Sequence, residues 1–117
     1  MHLSWHLVGR TAVIHIEDRR LDATNADHIR NELSEVLDTH PVAVLDIQKI
    51  HTIDSSGLRT LLSCLEQSHN THGTLILCGV SKSVQTFLQV VRLHKVFSIH
   101  PDLEGAMHSL NQGALIS

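Results

Sequence analysis

The chain has 117 residues, 42% of them hydrophobic, which suits one compact core and leaves no room for a second domain. Its formal charge is −3 with acids and bases interspersed, aromatic residues make up 3%, and tyrosine is absent. A nucleic-acid partner, which needs a basic face or a stacking platform, is therefore not expected.

Leu3, Trp5 and Leu7 alternate with Ser4 and His6; Ala12, Ile14 and Ile16 alternate with Thr11, His15 and Glu17, with Val13 blurring the second pattern. Period two indicates strands, and Gly9-Arg10 between them fits a two-residue Gly-X hairpin turn. The stretch "LDATNADHIRNELSEVLDTHP" reads as a helix. Ile29, Leu33, Val36 and Leu37 form its apolar stripe, Thr24 with Asp27 resembles a capping box, and Pro41 follows the end. "VAVLDI" (42–47) is a continuous β-rich run, as in a strand covered on both faces. Leu58, Leu61, Leu62 and Leu65 then mark an amphipathic helix. "TLILC" (74–78) is another buried strand. Ser81 or Ser83 can cap a helix carrying Val84, Phe87, Leu88 and Val91, and a short strand is expected at "VFSI" (96–99). Asp102 caps a last helix with Leu103, Ala106, Met107 and Leu110, and the tail after Gln112 is expected to fray. The order β-β-α-β-α-β-α-β-α implies a single α/β domain over 1–117, with its core at 3–112. Its sheet is mostly parallel or mixed, with crossover helices and an antiparallel initial hairpin.

The two cysteines, Cys64 and Cys78, lie far apart in apolar-periodic segments and read as reduced core thiols. The N-terminal "MHLSWHLVGR" has no cleavage-like tail, and the longest apolar run, "LILCGV" (75–80), is too short to span a bilayer. A cytoplasmic protein without direct membrane insertion is expected. Eleven histidines are the loudest oddity of the composition. His69 and His72 are three apart but sit in the loop-like "HNTHG", and the others are scattered, so no metal site is expected. Ser55 and Ser56 lack a G-x-S-x-G elbow, and neither G-x-x-x-x-G-K-[ST] nor G-x-G-x-x-G occurs. No enzyme activity and no cofactor are expected.

"TIDSSGL" (52–58) places a carboxylate, two hydroxyls and a glycine between a buried strand and a leucine-striped helix. Capping by Asp54 or Ser55 accounts for one of these polar groups, at about 1 kcal/mol. A phosphate accounts for more. It adds roughly two negative charges, and free N–H groups and the positive dipole end of the helix accept them there. Surface potential changes while the fold stays, as a binding switch requires. Gly57 would keep the helix start uncrowded. On a helical wheel Ser56 lies opposite the leucine stripe and Ser55 nearer its edge, unless Ser55 is the non-helical cap.

The order of elements, with "LDATNADHIRNEL", "VLDIQKIHTIDSSGLRTLL" and "GTLILCGVSKSVQTFLQVVRLHKVFSI", resembles the STAS domain family over residues 8–110. Within that family the chain is similar to the single-domain anti-sigma factor antagonists of bacterial partner-switching systems. The resemblance implies a mixed β-sheet of four to five strands with an N-terminal hairpin and about four helices packed mainly on one face. It also implies binding to a GHKL-type serine kinase that acts as anti-sigma factor. That kinase phosphorylates the first serine of the motif, and a PP2C-type phosphatase reverses the mark. Carried over, the acceptor is Ser55, with Ser56 as the fallback. Asp54 lies beside it, and Ser56, Gly57 and Leu58 belong to the partner-facing helix start. Asp22, Thr24 and Asn25 lie near the binding face, and a monomer or weak dimer is implied. Many relatives have glycine where Arg20 and Arg59 stand here; Arg59 lies off the leucine stripe and could pair with a phosphate or a partner acid. The alternative is a STAS subunit of a larger complex, such as a lipid transporter, without a phosphorylation switch.

Overall fold

A computed structural model describes residues 2–116, with side-chain surroundings described for 2–111. The chain runs β1 (Leu3–Val8), β2 (Thr11–Ile16), β3 (Arg20–Leu21), α1 (Ala26–Thr39), β4 (Val42–Asp46), β5 (Thr52–Ile53) and α2 (Ser55–Asn70). It continues through β6 (Thr74–Cys78), α3 (Lys82–Val90), β7 (Ser98–His100) and α4 (Leu103–Ile116). Five strands form one sheet in the order β1-β2-β4-β6-β7. Only the β1–β2 pair is antiparallel. Its connection is a two-residue turn in which Gly9 has φ +61° and Arg10 does not share the positive φ. That combination is the Gly-X turn that the sequence suggests.

Strand patterning follows from what covers each face. Ala12, Ile14, Ala43, Leu45, Leu75 and Leu77 face α1, α2 and α3, packing with Ile29, Leu33, Leu61, Val84 and Leu88. Val44, Ile76 and Cys78 face the other way, onto Ala106 and its neighbours Leu103, Met107 and Leu110 of α4. Two covered faces explain the uninterrupted apolar runs of β4 and β6. Three helices on one face and one on the other is the arrangement expected of the fold. No helix among the described residues is long and apolar enough to cross a membrane.

Several details differ from the sequence reading. β3 and β5 pair in parallel, Arg20 with Thr52 and Leu21 with Ile53, as a separate two-stranded sheet; two residues carry no readable period. The expected capping box of Thr24 and Asp27 does not form. The cap position of α1 is Asn25, whose side chain makes no cap bond. Asp27 is on the exposed surface, and the Thr24 hydroxyl goes to Asp22. Ser81 caps α3, while Ser83 donates instead to the His51 carbonyl at 2.7 Å. β7 begins two residues later than expected, and α4 continues to Ile116 past the expected fray at Gln112.

Both cysteines are buried and unbridged. Burial pushes each thiol up to about 12, helped at Cys78 by the carboxylates of Asp46 and Asp102. Because the thiolate is the nucleophile, neither should react with a disulfide reagent at pH 8 in the native protein. Both should react on unfolding in urea. Rapid native labelling of either would contradict this packing.

Candidate functional site

The start of α2 is held by a small set of bonds. Asp54 is the helix cap, and its Oδ1 accepts from the Gly57 N–H at 3.0 Å. Oδ2 accepts from the Ala23 N–H at 3.3 Å, so one carboxylate ties α2 to the loop before α1. The Asp54 N–H in turn donates to the Leu21 carbonyl at 3.4 Å, continuing the β3–β5 pairing. Gly57 lies against that same carbonyl. A Cβ there would stand 2.2 Å from the Leu21 oxygen and 2.9 Å from Ile53 Cγ1. Any side chain at position 57 would force the two loops apart.

Capping by Asp54 leaves both serines without that task. Ser55 is the first residue of α2 and is exposed; Ser56 is half-buried. Among the described residues, neither hydroxyl has a hydrogen-bond partner. The exposure order is the reverse of that on the leucine wheel. α2 buries a second face of small residues, Gly57, Thr60, Cys64 and Ser68, besides Leu58 and Leu61. Thr60 donates to the Ala26 carbonyl of α1 at 3.2 Å, and Gln67 donates to the Ser34 carbonyl at 3.1 Å. The buried arc is thus turned by roughly a quarter of the helix circumference from the leucines, at about 100° per residue. Ser56 moves toward α1 and Ser55 toward solvent.

Between α1 and α2 runs an open groove of about 570 Å³. Ala26 and Thr60, both buried, line it together with the exposed Ala23, Ser63, Arg59 and Arg30 and the half-buried Ser56. The loop ahead of α1 is set by Asp22 and Asn25. The Asp22 carboxylate accepts from the Thr24 N–H at 2.9 Å and from the Thr24 hydroxyl, with Arg20 Nε 3.6 Å away. These bonds, the Thr24 hydroxyl's first, hold Asp22 below the usual carboxylate range. Asn25 is buried. Its Oδ1 accepts from the Asp22 N–H at 3.0 Å, and its Nδ2 donates to Asp18 and to the Arg20 carbonyl, each at 2.8 Å.

Of the residues expected at the binding face, Ser55, Thr24 and Arg59 are exposed, and Asp22, Asp54 and Ser56 are partly so. Gly57, Leu58 and Asn25 are not: all three are buried, because the clip at Leu21 and the core draw them inward. Gly57 therefore admits a neighbouring carbonyl and does not open the helix start to a partner. The Leu21 carbonyl, the Ala23 N–H, Arg30 and Thr60 belong to the site without a sequence indication of their own. Only the small-residue spacing at 57, 60, 64 and 68 hints at the second face. No group of three or more metal-ligating side chains occurs among the described residues. His15 instead bonds Asp46 at 2.8 Å and stacks on His6.

The model of the STAS domain family matches residues 6–106. A Bordetella bronchiseptica protein named as an anti-sigma factor antagonist, BtrV, is 26% identical over 87 residues, covering 74% of this chain and 75% of that protein. An anti-sigma-factor antagonist (STAS) domain protein from Planctomyces limnophilus has the same fold, with TM-score 0.84, 18% identity, and coverage of 93% of this chain and 97% of that one. The phosphorylated form of the Bacillus cell fate determinant SpoIIAA superposes with TM-score 0.69 at 21% identity, covering 92% and 98% of the two chains.

Two substitutions test the clip. Gly57→Ala should lower stability in urea melts by about 1–3 kcal/mol, the usual cost of overpacking, and Asp54→Ala by about 1 kcal/mol or more for a lost cap. Neutral outcomes would mean that the loops are not tied here. Asp22 makes a pH prediction. Its folded-state ionisation is depressed, so its contribution is present above the unfolded value near 3.9 and is lost as pH falls through the folded one. In Asp22→Asn, the urea midpoint should fall less steeply below about pH 4; an unchanged acid limb would contradict the assignment.

Proposed function

The chain belongs to the STAS domain family, and we propose that it acts there as a phosphorylation-switched binding module of the anti-sigma factor antagonist kind. The observation that carries this reading is the division of labour at the start of α2. Asp54 supplies the cap, and Ser55 stands beside it exposed and unengaged. A Ser55 that served mainly as a cap, as in an unswitched subunit of a larger complex, has no support from this arrangement.

In its unmodified form the module binds a GHKL-type serine kinase that doubles as an anti-sigma factor or a related regulator. The docking surface is the exposed set around Ser55: Thr24, the edge of Asp22, Ser56 and Arg59. The bound kinase transfers the γ-phosphoryl group of ATP. A bond forms between Ser55 Oγ and phosphorus, the bond from phosphorus to the β–γ bridging oxygen breaks, ADP leaves, and the hydroxyl proton passes to the kinase. The module itself is no enzyme; it supplies the nucleophile.

The product carries nearly two additional negative charges at a helix end whose dipole favours them. The cap is already satisfied, so no structural bond has to break. The Asp54 carboxylate is on the adjoining residue, and its bond to the Ala23 N–H brings the loop that carries Asp22 alongside, so the phosphate makes this face more negative. A partner shaped for a neutral hydroxyl is rejected by that charge. A PP2C-type phosphatase hydrolyses the phosphoserine and restores binding. The cytoplasm, where ATP and both enzymes are available, is the setting.

Incubation with its GHKL-type kinase and ATP should add one phosphate by intact mass. The phosphate should be absent in Ser55→Ala and retained in Ser56→Ala. Modification that persists in Ser55→Ala, or none in the unaltered protein, would overturn the assignment.

A further inference from the structure

Arg59 stands one helical turn beyond Ser55, and both are exposed. Positions i and i+4 are neighbours on a helix surface, and an acid N-terminal to a base is the favoured orientation. Arg59 makes no ion pair or side-chain hydrogen bond among the described residues. It also lines the α1–α2 groove, with Arg30 of the facing helix. The nearest acid to Arg30 is Asp27, at 3.7 Å and with a side chain 90% exposed; such a pair is weak. Glu66 lines the groove too, nearly two turns farther along α2. The groove therefore carries Arg59 within one turn of Ser55, with Arg30 on the facing helix about a turn farther along. That is a receptor for a carboxylate, which guanidinium groups bind through paired, charge-assisted hydrogen bonds.

We propose that Arg59 is a shared cation: with Ser55 unmodified it receives a carboxylate of the docked kinase, and with Ser55 phosphorylated it pairs with the phosphate instead. The inference rests on the phosphorylation reading above and deepens it. A phosphoserine one turn away competes intramolecularly, at high effective concentration, and with about twice the charge of a carboxylate. Phosphorylation then removes a binding group from the partner as well as adding repulsion. The occupant is thus a kinase surface bearing Asp or Glu, and its engagement is sensitive to salt.

Protein with phosphoserine installed at position 55 during translation allows the test without prior kinase treatment. In a 31P NMR titration, the second ionisation of the phosphate should lie below its ordinary value of about 6. It should rise toward that value in Arg59→Gln and stay nearer the original in Arg59→Lys. For the unmodified protein, Arg59→Gln should weaken binding to the kinase about tenfold, the loss of one charge-assisted hydrogen bond. Arg59→Lys should restore part of it, and Arg10→Gln, in the β1–β2 turn, should bind like the unaltered protein. A phosphate ionisation or a kinase affinity unmoved by Arg59→Gln overturns the shared cation. If phosphoserine at position 55 leaves kinase affinity unchanged, the phosphorylation reading itself fails, whatever Arg59 does. If it abolishes binding while Arg59→Gln changes neither quantity, only the shared cation fails.

Discussion

The contact between the Leu21 carbonyl and Gly57 holds the site together. That oxygen accepts from the Asp54 N–H and occupies the space that a Cβ at position 57 would need. Through it the loop ahead of α1 and the loop ahead of α2 become one rigid corner. Asp54 closes the corner from the other side, one carboxylate oxygen on each loop. Ser55 is the next residue after that clip, so its exposure is fixed by bonds in which it takes no part.

This corner also bears on the proposed switch, because a charge placed on Ser55 breaks none of its bonds. Modifying a hydroxyl that caps a helix rearranges the cap's hydrogen bonds, whereas Ser55 takes no part in the cap. Asp54 meets the backbone need that a cap serves, and burial of Leu58, Leu61 and the small-residue face anchors α2 from behind. Each fully buried leucine contributes about 1.5–3 kcal/mol, more than a surface charge pair is worth. In the proposed switch, modification of Ser55 therefore acts on potential and on Arg59, outside the interactions that hold the fold.

Much of the fold was legible in the sequence because its causes are local. The β4 and β6 runs, the stripes of α1 and α2 and the Gly9 turn each follow from a period or a backbone preference. β3 and β5 were not legible, since two residues carry no pattern and their pairing spans the whole of α1. The cap of α1 misled for a related reason. Thr24 had a suitable spacing to Asp27, but its hydroxyl is taken by Asp22 in a local side-chain turn, a standard competitor of capping. At the site, the motif was visible and its orientation was not. A wheel drawn from leucines alone put Ser56 outermost; the face formed by Gly57, Thr60, Cys64 and Ser68 turned the helix and put Ser55 there. Gly57 appeared to leave room for a partner, whereas the room is filled by a carbonyl far away in sequence.

A comparison of 1H–15N correlation spectra of the protein with serine and with phosphoserine at position 55 tests the central claim most directly. The account predicts shift changes confined to the start of α2, the loop before α1 and the groove between them. Resonances of β4, β6 and α4 should stay in place. Changes spread across the sheet would mean that the phosphate acts by rearranging the fold, contrary to the free hydroxyl beside a self-sufficient cap.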